Sequence, residues 1–291
     1  MRRLRRTSLL AFVAVICALS TAQIATAFWT NNGSGLGSAS TATMPAGSAP
    51  TVADSGTTVT LSIPQISVAG QYIGAIGGNY SVKRYPGSGG AGVTPPSGTC
   101  SAAVTGAGAT LSCNETSTPR GDWKYTVSPT LHTWTSAESG FSNTVVIEPD
   151  PASALTSALA PAADIDLDWS AGAGATGYNV YRRLGAGAYN FAAPLNGATP
   201  ISGTTFTDTT SVSGSAYRYV VRSVVIGSAG QQIESASSNE TTSLTADGTN
   251  PTGVTLVAIP ASNSGDLTLS GNASDTISGI AEVFFEYRTS P

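Results

Sequence analysis

The 291-residue chain holds one histidine, His132, and three cysteines, and only 10% of its residues are charged. Each scarcity excludes something. A nucleophilic triad needs a base beside its serine, usually an imidazole, and His132 stands in "SPTLHTWTS" with no Gly-x-Ser-x-Gly elbow or comparable motif. It reads as a surface or partly packed histidine. Zinc is excluded for the same want of ligands. Of the 13 Lys and Arg, four (Arg2, Arg3, Arg5 and Arg6) fall in the first six residues and the net charge is −4, so the remainder has no basic stripe for nucleic acid. Glycoside hydrolysis needs two carboxylates facing each other across a cleft. The acids here are scattered, and Asp164, Asp166 and Asp168 share one face of a single strand pattern, as solvated outward side chains would. An EF-type calcium loop would need a central glycine and a terminal glutamate that are missing. No catalytic residue, metal site or cofactor is expected.

No apolar run is long enough for an unambiguous membrane span. The opening "MRRLRRTSLLAFVAVICALSTAQIATAFWT" has a basic start, a short apolar run and Ala25-Thr26-Ala27, which predicts a signal peptide over residues 1–27. An uncleaved anchor is the alternative, and the only way the membrane becomes a partner. Cys17 lies within this run. Its removal leaves Cys100 and Cys113, an even number in an oxidising compartment, hence one disulfide contributing about 3 kcal/mol. The protein is expected to be secreted or held in the cell envelope.

What is plentiful is Gly, Ser, Thr, Ala and Val. Residues 28–50 are nearly all small or polar and read as a flexible tether. From Thr51 onward, period-2 alternation recurs between turn residues, the pattern of antiparallel strands. It places Val59, Leu61 and Ile63 on one face, then Tyr80 and Val82, then Trp123, Tyr125 and Val127. A second unit repeats this order roughly one hundred residues later. Ile165, Leu167 and Trp169 alternate, and Tyr178-x-Val180, Tyr219-x-Val221 and "ESASSN" match Tyr80-x-Val82, Tyr125-x-Val127 and "ESGFSN". The expected fold is all-β, with tandem two-sheet antiparallel β-sandwiches.

On these residues a family resemblance can be stated. Residues 150–246, with the strand ending at Trp169 followed by "GATGYNVYRR", "SGSAYRYVVRSV" and "ESASSNETTSLTA", resemble a fibronectin type III domain. Residues 51–149 are similar to a divergent, disulfide-bearing version. The resemblance implies seven strands in two sheets and a tyrosine corner at Tyr217, where the first unit has Trp123 instead. Residues 247–291 resemble the opening strands of a bacterial immunoglobulin-like repeat, with Val254 and Leu256, Leu267 and Leu269, and Val283, Phe285 and Tyr287 alternating. That length is too short for a sandwich, so the last domain is expected to be incomplete.

Three aromatics are not required by the core pattern: Trp134, Tyr85 and Phe141. A flat apolar ring with polar neighbours suits a sugar; the alternative is that they cover the end of the sandwich. "STPRGDWKYTVSP" contains Arg120-Gly121-Asp122, a tripeptide that serves some extracellular β-domains as an adhesion ligand. Local chemistry also accounts for it, because Pro119, Gly121 and Asp122 suit a turn that aims Trp123 into the core. The resulting expectation is a non-enzymatic bacterial surface protein, acting as a spacer or adhesive module toward extracellular polysaccharide or a cell-surface protein. The alternative is a set of accessory modules for a polysaccharide-degrading glycoside hydrolase whose catalytic domain lies beyond Pro291.

Overall fold

A computed structural model describes residues 44–257, 270–277 and 279. The expected signal peptide, the tether as far as residue 43, and the alternation at Leu267, Leu269, Val283, Phe285 and Tyr287 lie outside them. The first sandwich is built from β1 (Thr51–Ser55), β2 (Thr58–Pro64), β3 (Ser67–Val68), β4 (Gln71–Tyr72), β5 (Asn79–Pro86), β6 (Thr110–Glu115), β7 (Gly121–Leu131), β8 (Trp134–Thr135) and β9 (Val145–Ile147). The second comprises β10 (Ser153–Leu159), β11 (Ile165–Ser170), β12 (Gly177–Leu184), β13 (Thr205–Asp208), β14 (Ala216–Ile226), β15 (Gln232–Ser237) and β16 (Leu244–Thr245). A short ribbon of β17 (Thr252–Leu256) and β18 (Gly271–Ser274) follows.

The two sandwiches share one topology. In the first, β1-β2-β6 form one sheet and β5-β7 with β8 and β9 the other; in the second, β10-β11-β13 face β12-β14 with β15 and β16. Alternation decides which side chains meet between the sheets, because successive residues of a strand point to opposite faces. Val59, Leu61, Ile63, Tyr80, Val82, Tyr125 and Val127 fill the first core, and Trp123 packs against its margin. Ile165, Leu167, Trp169, Tyr178, Val180, Tyr217, Tyr219 and Val221 fill the second. The ring of Trp169 meets that of Tyr178 edge to face with centroids 5.4 Å apart. In the ribbon, by contrast, Val254 and Leu256 are exposed.

The segment that leads into the last strand of each sandwich, residues 136–142 before β9 and 235–241 before β16, departs from the two-residue period. Ser136, Ser139 and Ser142 donate their amides to the carbonyls of Pro129, Val127 and Tyr125, three residues on one side for every two on the other. The hydroxyls of Ser139 and Ser142 accept the amides of Val127 and Tyr125 that a regular strand would have paired. Ser235, Ser238 and Thr241 do the same for Ser223, Val221 and Tyr219. A repeat of three residues per turn is that of polyproline II, so the segment presents no regular ladder edge for another chain to join. Asn143 then stitches the sheets together by accepting from the Val52 amide and donating to the Val52 carbonyl, both at 2.9 Å. Asn239 makes the matching pair with Leu155.

Two features tighten the first unit. Cys100 and Cys113 are joined in a disulfide, with Cα atoms 5.1 Å apart. It staples the short 3-10 turn Thr99–Ser101 beside the edge strand β6, where Thr99 and Asn114 exchange backbone-to-side-chain hydrogen bonds. Residues 44–50, expected to be the end of a tether, instead lie on the sandwich. Met44 packs on the core, the carbonyls of Met44 and Pro45 accept from the Ser136 hydroxyl, and Gly47 is buried beside Val127 and Pro129. The small residues that suggested flexibility are what allow this close approach.

Asn143→Ala is expected to lower the stability of the first sandwich by about 1–3 kcal/mol, because it leaves the Val52 peptide unpaired at both ends. Asn239→Ala should do the same for the second, and urea unfolding of each variant checks both.

Candidate functional site

Each core holds one ion pair, and the two are counterparts. β5 alternates Tyr80, Val82, Arg84 inward and β12 alternates Tyr178, Val180, Arg182, so an arginine ends each inward row. In the first sandwich Arg84 pairs with Glu115, which also accepts from the Tyr125 hydroxyl at 2.8 Å. In the second, Arg182 pairs with Asp208 at 2.7 Å, and Asp208 accepts from the Tyr219 hydroxyl at 2.8 Å. The Arg84 guanidinium lies 4.5 Å from the Trp123 ring centroid, and that of Arg182 lies 4.7 Å from the Tyr217 ring. The two carboxyls titrate in opposite directions. Burial pushes Glu115 up, and Tyr125 and Arg84 offset only part of it. Burial acts on Asp208 too, but bonds from Thr210, Tyr219 and Arg182 outweigh it and hold the group below its usual value. Burial and the adjacent carboxylates keep the Tyr125 and Tyr219 hydroxyls protonated, as donors.

These networks fix the corner that precedes β7 and β14. The Tyr217 hydroxyl accepts the Val212 amide at 3.1 Å, the tyrosine corner the resemblance implied. At the same place in the first unit, the Trp123 indole N–H donates to the Pro119 carbonyl at 2.8 Å. The corner survives with its donor and acceptor exchanged.

Arg120, Gly121 and Asp122 sit on that corner, at the seam between the sandwiches. Asp122 is only 7% exposed, and its carboxylate accepts the Ser228 amide at 2.6 Å and the Ser228 hydroxyl at 2.7 Å. The Arg120 guanidinium donates to the Glu148 carbonyl at 2.5 Å and pairs with Asp150 at 2.6 Å. Burial pushes the Asp122 carboxyl up, and the donors of Ser228 and Gln231 overcome this, leaving it below the usual 3.8. Both charged ends of the tripeptide are therefore engaged by the second sandwich and the linker. Asp150, in the linker, has its charge answered by Arg120.

The candidate ligand-binding aromatics divide. Trp134 stands 43% exposed on β8, just after His132, whose φ of 54° marks the tip of the β7–β8 hairpin. Tyr85 and Phe141 meet each other, edge to face with centroids 5.1 Å apart, on the outer face of the β5-β7 sheet. The Tyr85 hydroxyl donates to Glu138 at 2.6 Å, and Lys83 and Thr126 converge on the same carboxylate. The structure thus brings Tyr85 and Phe141 together, while Trp134 meets no other aromatic ring among the described residues.

The alternation missed a third aromatic group. Phe191 lies in the irregular connection between β12 and β13, with Tyr181 at 5.0 Å, Tyr189 at 5.7 Å and the Arg222 guanidinium 3.5 Å from its ring centroid. Tyr189 and Arg183 both bind Glu240, whose carboxyl Arg183 and Tyr189 hold down at about 2. The cluster pins the connection onto the sheet. Asp166 accepts from the Thr207 hydroxyl at 2.6 Å on an exposed face. Among the described residues, no group of three or more His, Cys, Asp and Glu is arranged to hold a metal, and no helix is long and apolar enough to cross a membrane.

Asp208→Asn is expected to cost the second sandwich about 1–3 kcal/mol, because the buried acceptor of the Tyr219 hydroxyl and the half-buried Arg182 loses its charge. The depressed carboxyl of Asp208 contributes stability above its ordinary value of 3.8, and that stability is lost as pH falls through the depressed value. The variant should therefore show a shallower acid limb. Urea unfolding at neutral pH and near pH 3 measures both effects.

No family model matches the sequence, and no curated protein matches it either. Among solved structures, an Fn3-like protein from Clostridium thermocellum is similar at 33% identity over 32% of this chain and 88% of that one, with a TM-score of 0.27. A two-domain fibronectin type III segment of chicken tenascin is similar at 11% identity over 68% of this chain and 95% of that one, with a TM-score of 0.43. A run of titin domains is similar at 15% identity over 66% and 60%, with a TM-score of 0.30.

Proposed function

Because the chain belongs with the fibronectin type III-like sandwiches and carries them in tandem, we propose that it is a non-catalytic spacer module of a secreted or cell-envelope protein. The observation that carries this reading is the end-to-end order of the units. The corner of the first sandwich, at Arg120 and Asp122, meets loops of the second around Ala173 and Ser228, and the chain passes straight through Asp150. Each sandwich closes its own core, so each adds reach. The disulfide supports an oxidising compartment, where such bonds persist. A bacterial source, an adhesive role and partners among polysaccharides or surface proteins are parts of the same proposal.

The second reading is an accessory module of a polysaccharide-degrading enzyme. It is favoured by Trp134 alone, an indole held out at a hairpin tip where a pyranose ring could stack on it. Sedimentation with insoluble cellulose, xylan and chitin separates the two. The spacer reading predicts that neither the parent chain nor Trp134→Ala is retained. Retention of the parent that falls about tenfold or more in Trp134→Ala, the loss of a stacking energy of about 1.4 kcal/mol, would establish the accessory reading instead.

A further inference from the structure

Asp150 and Pro151 form the only aspartyl-prolyl bond in the sequence, and it stands in the linker. Ile147 is buried in the first core and Ala152 in the second, so a cut there severs one sandwich from the other. Such a bond carries its own means of breaking. A carboxylate is a nucleophile, and this one needs only to reach its own peptide carbonyl, so that geometry replaces a collision. The nitrogen that leaves belongs to a proline, in a tertiary amide, and takes up a proton from acid more readily than a secondary amide nitrogen does. In the step, a carboxylate oxygen of Asp150 bonds to the Asp150 carbonyl carbon, while the bond from that carbon to the Pro151 nitrogen breaks and the protonated nitrogen departs as a secondary amine. A cyclic anhydride is left on residue 150. One water opens it, giving a C-terminal Asp150 with two carboxyls and a new N-terminus at Pro151.

We infer that the closed joint protects this bond, and that opening the joint in acid lets the chain cut itself between the sandwiches. Each group the step needs is held at the seam. The Asp150 carboxylate pairs with the Arg120 guanidinium at 2.6 Å, and that guanidinium also donates to the Glu148 carbonyl at 2.5 Å. Arg120 is seated in turn over Gly174, where an added Cβ would come within 2.5 Å of its Cγ. The Asp150 amide donates to the Ala173 carbonyl at 3.0 Å. The Asp150 carbonyl lies on Gly172, where an added Cβ would come within 1.9 Å of its oxygen and 2.8 Å of its carbon. Ring closure must swing the carboxylate onto that carbon and make the carbon tetrahedral. The first costs the Arg120 pair, and the second lacks room against Gly172. Among the described residues, the charged groups in these contacts are Arg120 and Asp122 on the corner and Glu148 and Asp150 in the linker; the second sandwich meets Asp150 with the backbone of Gly172 and Ala173. Asp122 contributes to the closed seam above its ordinary value of 3.8, and that contribution is lost as pH falls through its depressed value. The inference concerns the linker bond and holds whether or not the chain is a spacer.

Incubation of the full chain, with its disulfide closed, at the lowest pH near about 3 at which circular dichroism shows it folded tests the inference. Products are separated on a denaturing gel and their ends identified by mass spectrometry. In urea at the same pH the chain should be cut between Asp150 and Pro151, and Asp150→Ala should abolish that cut. The folded parent should be cut about tenfold or more slowly than the parent in urea. Arg120→Ala should bring the rate in buffer toward the rate in urea while leaving the latter unchanged. Ser228→Ala, at an exposed loop position outside both cores, should do so in part while its circular dichroism stays native. Absence of the cut in urea, equal rates for the parent folded and in urea, or folded variants cut no faster than the parent would overturn the inference.

Discussion

A carboxylate taken out of water costs several kcal/mol unless donors are arranged around it. Among the described residues three buried carboxylates have donors so arranged, and each organises the structure about itself. Glu115 and Asp208 each draw an arginine from one strand and a tyrosine from another, tying three strands together across the two sheets. The arginine in turn seats the aromatic of the corner, Trp123 or Tyr217. That corner carries the third carboxylate, Asp122, which accepts from Ser228 and Gln231 of the next sandwich. The chain of causes runs from a buried charge in the core, through a rigid corner, to the joint between domains. Removing one partner from such a set costs more than the set contributes, because the remaining charge stays buried.

The same logic explains why the two units agree where they do. The cores are near copies, since packing two sheets face to face leaves little freedom. The three-residue serine repeat before each last strand belongs with the core, because it satisfies the β7 and β14 backbones and blunts an edge.

Much of the fold was legible. Alternation located Val59 to Ile63, Ile165 to Trp169 and the Tyr-x-Val rows, because burial on one face of a strand leaves a period of two. Continued by one step, the same alternation would have reached Arg84 and Arg182, inward but charged, and pointed to buried partners. Which carboxylates those would be was not legible, as Glu115 and Asp208 come from other strands with no local signal. The serine period of three was printed in "SAESGFSN" and "SASSNETT", yet its backbone role depends on the facing strand. The tripeptide shows the limit most plainly. Sequence reads it as a turn into the Trp123 strand, but its partner Ser228 is 106 residues away, and no local pattern carries a contact of that kind. Trp134 stands exposed as an aromatic outside the core pattern would, whereas Tyr85 and Phe141 spend part of their surface on each other.

The central claim, that Asp122 holds the first joint closed, is tested most directly by amide hydrogen exchange at Ser228. This residue lies in an exposed loop, where an unbonded amide exchanges freely. If its N–H is held by the Asp122 carboxylate as the structure shows, exchange should be slowed by about tenfold or more and released in Asp122→Ala. Exchange at the rate of a free loop amide, or protection that survives Asp122→Ala, would contradict the account.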